Sequence, residues 1–213
     1  MQEDPTEPPG DDTTEPQRSE VRERVIPAAA LRNVLIEPRL ALAKRTFGAL
    51  VASAAEPPLR LLAEFDVAGV GRLRTTVLSG FSLVDNPGES AGSITLSFDH
   101  RGRDPVRYVC NSEQALRVVN RKLIDHGLVV HSVSSATTQK LTIDPVVPAA
   151  ITLTVDRRRA HVRVNLRNII MLGSTDYTIP IEALDRTLID AMVQLVVHQD
   201  RTFYRLMANI GRH

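Results

Sequence analysis

The sequence predicts an α+β protein in which antiparallel or mixed β-sheets are covered by amphipathic helices. Segments with period-two alternation and segments with helical periodicity follow one another in the order strands, helix, strands, helix. Parallel βαβ units would alternate more strictly, so this order favours antiparallel or mixed pairing. The eight residues 94–101 also resemble residues 151–158, at a spacing of 57 positions, which suggests two duplicated halves spanning 59–127 and 128–206.

Residues 1–20 have the composition of a disordered acidic, proline-rich tail. They contain seven acidic residues and one arginine, a charge of −6, and no large aliphatic residue beyond Met1. Such a segment buries too little apolar surface to offset the entropy lost on ordering. Because the whole chain carries +1, the remaining residues carry +7. We therefore expect an acidic arm attached to a mildly basic body.

A helical segment is predicted over residues 21–56, between the tail and the strands. Its apolar side chains recur at helical spacing, with an interruption expected at Pro38 and an end at Pro57-Pro58. The stripe either packs on the domain or, through residues 26–55, binds another protein or a second copy of the chain. The stripe consists of Leu40, Ala43, Phe47, Leu50 and Val51.

The remaining residues, 57–213, are expected to form one α+β domain. A first helix is predicted from Asn111 or Ser112 to the stop at Gly127, and a second from Pro180 and Glu182, with a Glu182–Arg186 pair outside. The apolar face of the second helix carries Leu184, Leu188, Ala191, Met192 and Leu195. The predicted strands lie at 61–67, 70–77, 79–84, 94–98, 106–110, 128–133, 141–143, 151–155 and 161–166.

Composition excludes several classes of function. Tryptophan is absent and aromatic residues make up only 4% of the chain, which argues against an aromatic stacking platform for single-stranded nucleic acid. The single cysteine, Cys110, excludes an intrachain disulfide framework and cysteine-rich zinc sites. The histidines match no metal-binding spacing, so we expect no metal site and no cofactor. Without a signal sequence or a spanning helix, we expect a cytoplasmic protein with no membrane insertion.

An arginine cluster is the strongest candidate for a binding site. Arg157, Arg158 and Arg159 form a predicted hairpin turn, and Arg163 follows in the next strand. With Arg101 and Arg103 of the similar segment, one edge of a sheet could present several guanidinium groups. Guanidinium groups bind carboxylates and phosphates through paired hydrogen bonds, so the ligand would be anionic.

Residues 88–92 read Gly-Glu-Ser-Ala-Gly, a complete G-x-S-x-G motif. It resembles the nucleophile elbow of carboxylesterases of the α/β-hydrolase family. The resemblance implies Ser90 as a nucleophile, with His161 or His198 as its base. The elbow requires a strand–turn–helix context, whereas the residues after Gly92 alternate as in a strand. We therefore favour a hairpin loop and assign no catalytic residue.

Three functional hypotheses remain. The first is a non-catalytic protein-interaction or regulatory adaptor module, suggested by the compact body, the tail and the helical segment. The second is a module that binds a phosphorylated ligand or nucleic acid through the arginine-rich hairpin. The third is a serine hydrolase that uses Ser90.

Overall fold

The residues that the structure describes fold into two antiparallel sheets and four helices, which confirms the α+β class; the larger sheet is a curled half-barrel. The computed structural model describes residues 28–54, 57–67, 69–88, 91–110, 112–134 and 139–211. The acidic tail, 1–20, lies outside them. The elements are α1 (Ala28–Ser53), β1 (Leu59–Val67), β2 (Gly71–Asn86), β3 (Ala91–Arg101), β4 (Val106–Cys110), α2 (Glu113–Asp125), β5 (Val130–Ser134), β6 (Gln139–Ile143), β7 (Val146–Asp156), β8 (His161–Arg167), β9 (Ser174–Pro180), α3 (Arg186–His198) and α4 (Thr202–Ile210).

Two hydrophobic cores hold these elements together. The strands of the larger sheet run in the order β1-β2-β3-β7-β8-β9, and α1, α3 and α4 contribute to the core on its apolar face. The smaller sheet, in the order β4-β6-β5, shares a second core with α2 and with Phe65 and Leu73 of the larger sheet. Side chains of β3, β7 and β8 alternate between the core and the opposite face, which is mainly polar on β3, on β8 and on β7 from Thr152 to Asp156.

Helix α1 runs without a break through Pro38, so the expected interruption is wrong. Proline removes one backbone hydrogen bond from a helix interior, yet packing on both sides of it holds this helix together. Ile36 before the proline is buried, and Ala43 and Phe47 after it are fully buried in the main core. The apolar stripe therefore packs within its own chain, whereas binding of another protein or a second copy through residues 26–55 stays a prediction.

Strand β2 is one 16-residue strand, whereas the sequence suggested two. Its pairing with β3 shifts register between Ser79 and Ser82, as at a β-bulge. Gly80 lies at this shift with φ of +64°. A side chain there would be strained by that φ and crowded by the Asp99 carboxylate. The bulge lets a long strand bend around the core without ending.

The helix termini partly match the sequence. Ser112 caps α2 by accepting a hydrogen bond from the Ala115 N–H, and Gly127, at φ +78°, follows its end. Helix α3 begins later than expected: Ile181–Ala183 form a 3-10 turn, and Asp185 caps the helix at Leu188 N–H, 2.8 Å away. Glu182 thus lies outside α3, in which Arg186 pairs with Asp190 at 3.5 Å. The sequence patterns predicted neither β9 nor α4.

The two strands with similar sequences are neighbours in the larger sheet. Ile94 of β3 pairs with Leu153 of β7, and Thr95 pairs with Thr152, whose hydroxyl lies 3.2 Å from its own. The next strands take different places, since β4 joins the smaller sheet and β8 stays in the larger one. Duplication of halves 59–127 and 128–206 stays a prediction.

Within the described residues, no helix combines the length and apolarity needed to span a bilayer.

Candidate functional site

The turn between β7 and β8 carries three consecutive arginines and is closed by the aspartate before it. Oδ1 of Asp156 accepts hydrogen bonds from the backbone N–H groups of Arg158 and Arg159, at 3.0 and 3.1 Å. Such aspartate-closed turns are common because the short side chain reaches the backbone two residues ahead. Ala160 completes the turn at φ +50°, and its side chain is buried. These contacts stabilise the turn without a ligand.

Arg157 points away from its two neighbours and has a structural role. Its Nη1 lies 2.6 Å from Oε1 of Glu37 in α1, and its Nε donates to the carbonyl of Gly88 at 3.2 Å. It connects α1, the β2–β3 loop and the β7–β8 turn, and its side chain is only 29% exposed. The structure thus separates it from the binding group in which the sequence placed it.

Arg158, Arg159, His161 and Arg163 line an open groove of about 820 Å³, which we call the arginine groove. Thr154 and Thr178 contribute hydroxyl groups from the neighbouring strands β7 and β9. Arg163 is held against both threonines because it pairs with Thr154 on one side and with Thr178 on the other. The groove combines guanidinium groups with neutral donors, a chemistry that suits an anionic ligand.

Two aspartates partly neutralise the arginine groove. Oδ1 of Asp176 accepts hydrogen bonds from Arg163 Nε at 2.9 Å and from Asn165 at 3.0 Å, and these bonds hold the pKa of its carboxyl below the ordinary range. The Nε of Arg159 lies 3.8 Å from Asp156. The exposed guanidinium of Arg158 forms no ion pair within the part of the chain that the structure describes. Three arginines against two aspartates leave a local excess of one positive charge.

His161 has a defined proton position in the arginine groove. Its Nδ1 lies 2.6 Å from the carbonyl oxygen of Arg159, which can only accept, so Nδ1 carries the proton. In the neutral ring, Nε2 is then the acceptor nitrogen.

Arg101 and Arg103 lie at the other end of the sheet, so the expected single arginine edge is wrong. In the β3–β7 register, Ala91 pairs with Asp156 beside the groove, whereas Arg101 pairs with Val146. Ten residues of strand separate the two ends, about 33 Å at 3.3 Å per residue. Arg101 pairs with Asp99 at 3.0 Å, and Arg103 is exposed in the loop after β3. Antiparallel pairing of similar segments puts their equivalent ends apart.

The strand–turn–helix context of a nucleophile elbow is absent around the G-x-S-x-G motif. Ser90 itself lies outside the described residues, but the flanking strands β2 and β3 form an antiparallel pair in which Asn86 faces Ser93. Of the two suggested bases, His161 lines the arginine groove and His198 ends α3. Among the described residues, no serine, threonine or cysteine is hydrogen-bonded to a histidine. The described strands on either side of the motif are therefore antiparallel neighbours, as the alternation after Gly92 indicated.

His100, in β3, is one of the few buried polar residues. Its ring packs against Phe65 and Phe98, with centroids 4.9 and 5.4 Å away. Burial lowers the pKa of His100 to about 4, so it is neutral at pH 7. The described part of the chain holds no group of three or more histidine, cysteine, aspartate or glutamate residues that could bind a metal ion.

The groove residues contributed by β9 could not be found from the sequence. Because alternate residues of a strand lie on the same face, His161, Arg163 and Asn165 share one face of β8. Thr178 and Asp176 belong to β9, which has only two residues with an apolar alternation, Tyr177 and Ile179.

Comparison with known proteins adds no relative: no family model, no curated protein and no solved structure matches this chain.

Proposed function

We propose that the protein is a non-catalytic interaction module that binds an acidic segment of a partner protein in the arginine groove. The observation that carries this proposal is the convergence of Arg158, Arg159 and Arg163 on one open groove beside the polar face of the sheet. Guanidinium groups match carboxylates in geometry and bind them through two parallel hydrogen bonds. The groove is open to solvent along its length, so an extended chain can lie in it.

Carboxylates fit this groove better than a single phosphate does. Phosphate sites commonly use consecutive backbone N–H groups in a turn, which form a concave set of donors. Here the N–H groups of Arg158 and Arg159 already donate to Asp156, so the turn is filled by its own carboxylate. The free donors are side chains spread along the groove, which suits several separate carboxylates.

Nucleic acid is a poorer match. Affinity for a phosphate backbone requires many uncompensated cations, because binding depends on the release of counterions. In the groove, Asp156 and Asp176 offset two of the three arginines. Among the described residues, no phenylalanine or tyrosine lines it, and the imidazole of His161 is its one aromatic ring on which a base could stack.

Binding of a fluorescein-labelled ten-residue glutamate peptide, measured by anisotropy, tests the proposal. The triple variant Arg158→Gln/Arg159→Gln/Arg163→Gln should bind it at least about tenfold more weakly than the wild type, given the strength of charge-assisted hydrogen bonds. The matched control, Arg101→Gln/Arg103→Gln/Arg107→Gln, removes the same charge from residues that do not line the groove, Arg101 being about 33 Å away along β3, and should bind like the wild type.

Two results would contradict the proposal. Equal losses in the two triple variants would mean that the peptide responds to net charge alone rather than to the groove. If a ten-residue oligothymidylate bound through the groove arginines and the glutamate peptide did not, nucleic acid would replace a protein partner as the ligand. An intact far-ultraviolet circular dichroism spectrum for each variant shows that a loss of binding is not a loss of fold.

A further inference from the structure

A second, chemically different pocket lies at the opposite end of the β8–β9 hairpin. The arginine groove lies where His161 pairs with Pro180, whereas this pocket begins where Arg167 pairs with Ser174. It has a volume of about 400 Å³, is open to solvent on one side, and is lined by the loop between β8 and β9, by β9 and by α4. That volume is within the range of small-molecule sites. We call it the tyrosine pocket, after Tyr177 and Tyr204, which line it.

The loop that forms one wall of the tyrosine pocket is fixed at its base by Asn168. The Asn168 amide donates to the carbonyls of His126 and Pro148, both at 2.8 Å, and its Oδ1 accepts from Gly173 N–H at 2.8 Å. A backbone bond from Asn168 N–H to the Gly173 carbonyl closes the loop. Asn168 is only 1% exposed, so these bonds form away from water, where losing them is costly. The wall is therefore in place before a ligand binds.

The opposite wall is aromatic and equally constrained. Phe203 of α4 is fully buried, and its ring lies 5.6 Å from Tyr177 and 5.5 Å from Tyr204, both in edge-to-face contact. Burial raises the pKa of both tyrosines, so their hydroxyl groups are neutral donors at pH 7. Arg201 lines the same pocket, and its charge acts on the pKa of Tyr204 in the opposite direction.

The remaining lining is apolar apart from the hydroxyl of Thr175 and one cation, Arg201. Ile170 and Met171 form the loop tip, and Met171 is 68% exposed. Arg201 makes no ion pair within the described residues, and no carboxylate lines the pocket. The adjacent carboxylate of Asp200 is occupied: it accepts from the backbone N–H and hydroxyl of Thr202, at 2.8 and 2.7 Å, and lies 3.7 Å from Arg205. Arg201 is thus free for a ligand.

We propose that the tyrosine pocket binds a small apolar monocarboxylate. Its carboxylate would pair with Arg201, and its aromatic or aliphatic part would lie between Met171 and the tyrosine rings. One guanidinium balances one negative charge, while a phosphate dianion would retain an unbalanced charge beside apolar side chains. A cationic ligand would be repelled by Arg201. The proposal is independent of the arginine groove and uses none of its residues.

Intrinsic tyrosine fluorescence tests this proposal directly, because the protein has no tryptophan and two of its three tyrosines line the pocket. Phenylacetate is the probe, with phenylacetamide as its neutral and phenethylamine as its cationic analogue. We expect a saturable emission change with phenylacetate at a Kd of about 1 mM or below. Binding of phenylacetamide, and of phenylacetate to Arg201→Gln, should be at least about tenfold weaker.

A second variant and a control keep the test decisive. Met171→Glu adds a negative charge at the exposed rim and should weaken phenylacetate binding without changing the thermal unfolding midpoint. Tyr108→Phe removes the one tyrosine outside the pocket and should leave the titration unchanged. The proposal is overturned if phenylacetate gives no saturable change up to about 10 mM, if the amide binds as well as the acid, or if Arg201→Gln binds like the wild type.

Discussion

Asn168 and His100 are both buried polar side chains, but only Asn168 compensates for its burial with hydrogen bonds. Asn168 satisfies its amide through bonds to His126, Pro148 and Gly173. Neither ring nitrogen of His100 has a hydrogen-bond partner among the described residues, and its neighbours are the rings of Phe65 and Phe98. His100 is therefore tolerated in the core because its ring is neutral. Protonation of the ring would place an unpaired charge there and would destabilise the fold.

Stability should fall on acidification because of His100. The folded pKa is about 4 against an ordinary 6.5, so the unfolded chain binds the proton more readily between these values. The resulting loss of unfolding free energy is negligible well above pH 6.5 and grows as the pH falls toward 4. On going from pH 7.5 to pH 5.0 this loss amounts to about 2 kcal/mol. His100→Leu should remove this share of the loss and, at pH 7.5, raise the unfolding free energy by about 1 kcal/mol.

Urea unfolding at pH 7.5 and pH 5.0, followed by circular dichroism, measures both effects. His198→Gln is the control, because it removes an exposed histidine and should keep the acid-dependent loss of the wild type. If His100→Leu and His198→Gln lost equal stability on acidification, the buried imidazole would not be the source.

At the scale of elements, Arg157 is the contact that fixes helix α1 against two loops. It bonds Glu37 of α1 and the carbonyl of Gly88, while its neighbour Arg158 uses only its backbone N–H in the turn. Consecutive arginines of one turn therefore differ, since Arg157 makes contacts within the fold and Arg158 lines the arginine groove. The direction in which each side chain leaves the turn decides this difference.

Arg157→Ala should lower the unfolding free energy by about 1 kcal/mol, a modest value because Glu37 is largely exposed. Arg158→Ala should change it by no more than about 0.5 kcal/mol, as is usual at exposed positions. Urea unfolding at pH 7.5 measures both. In the peptide assay the order should reverse, with Arg158→Ala weakening binding and Arg157→Ala retaining it. Equal effects of the two variants in both assays would contradict the division of roles.

At the scale of the whole molecule, α1 belongs to the main core rather than to an external surface. Phe47 is fully buried among the residues of this core, whereas Val34 on the same helix is 69% exposed. Removing α1 would therefore uncover the apolar face of the six-stranded sheet.

Phe47→Ala should destabilise the protein by about 3–5 kcal/mol, the usual cost of removing a phenylalanine from a core. Val34→Ala, the matched control, should change stability by no more than about 0.5 kcal/mol. Chemical unfolding at several protein concentrations gives both values. A midpoint that rises with concentration would show instead that α1 packs on a second copy of the chain.

Periodicity alone placed most of the elements of this protein. The alternation of apolar and polar residues in the sequence located β3, β4 and β8, and the spacing of Leu116 and Leu123 located α2. These signals are strong because each element has one face in a core and one in water. Strand β9 and helix α4 were not predicted, since β9 is mostly exposed and α4 is only nine residues long.

The sequence by itself determined the α+β class, the arginine-rich turn and the hairpin nature of the G-x-S-x-G loop, because all three depend on neighbouring residues. Only the tertiary structure decided which arginines act together. It placed Arg163 beside Thr178, turned Arg157 toward α1 and set Arg101 at the far end of the sheet. The tyrosine pocket is likewise tertiary, since its walls meet only after β9 and α4 have packed. The physical reason is that strand order and register join residues distant in sequence, and no local pattern encodes that pairing.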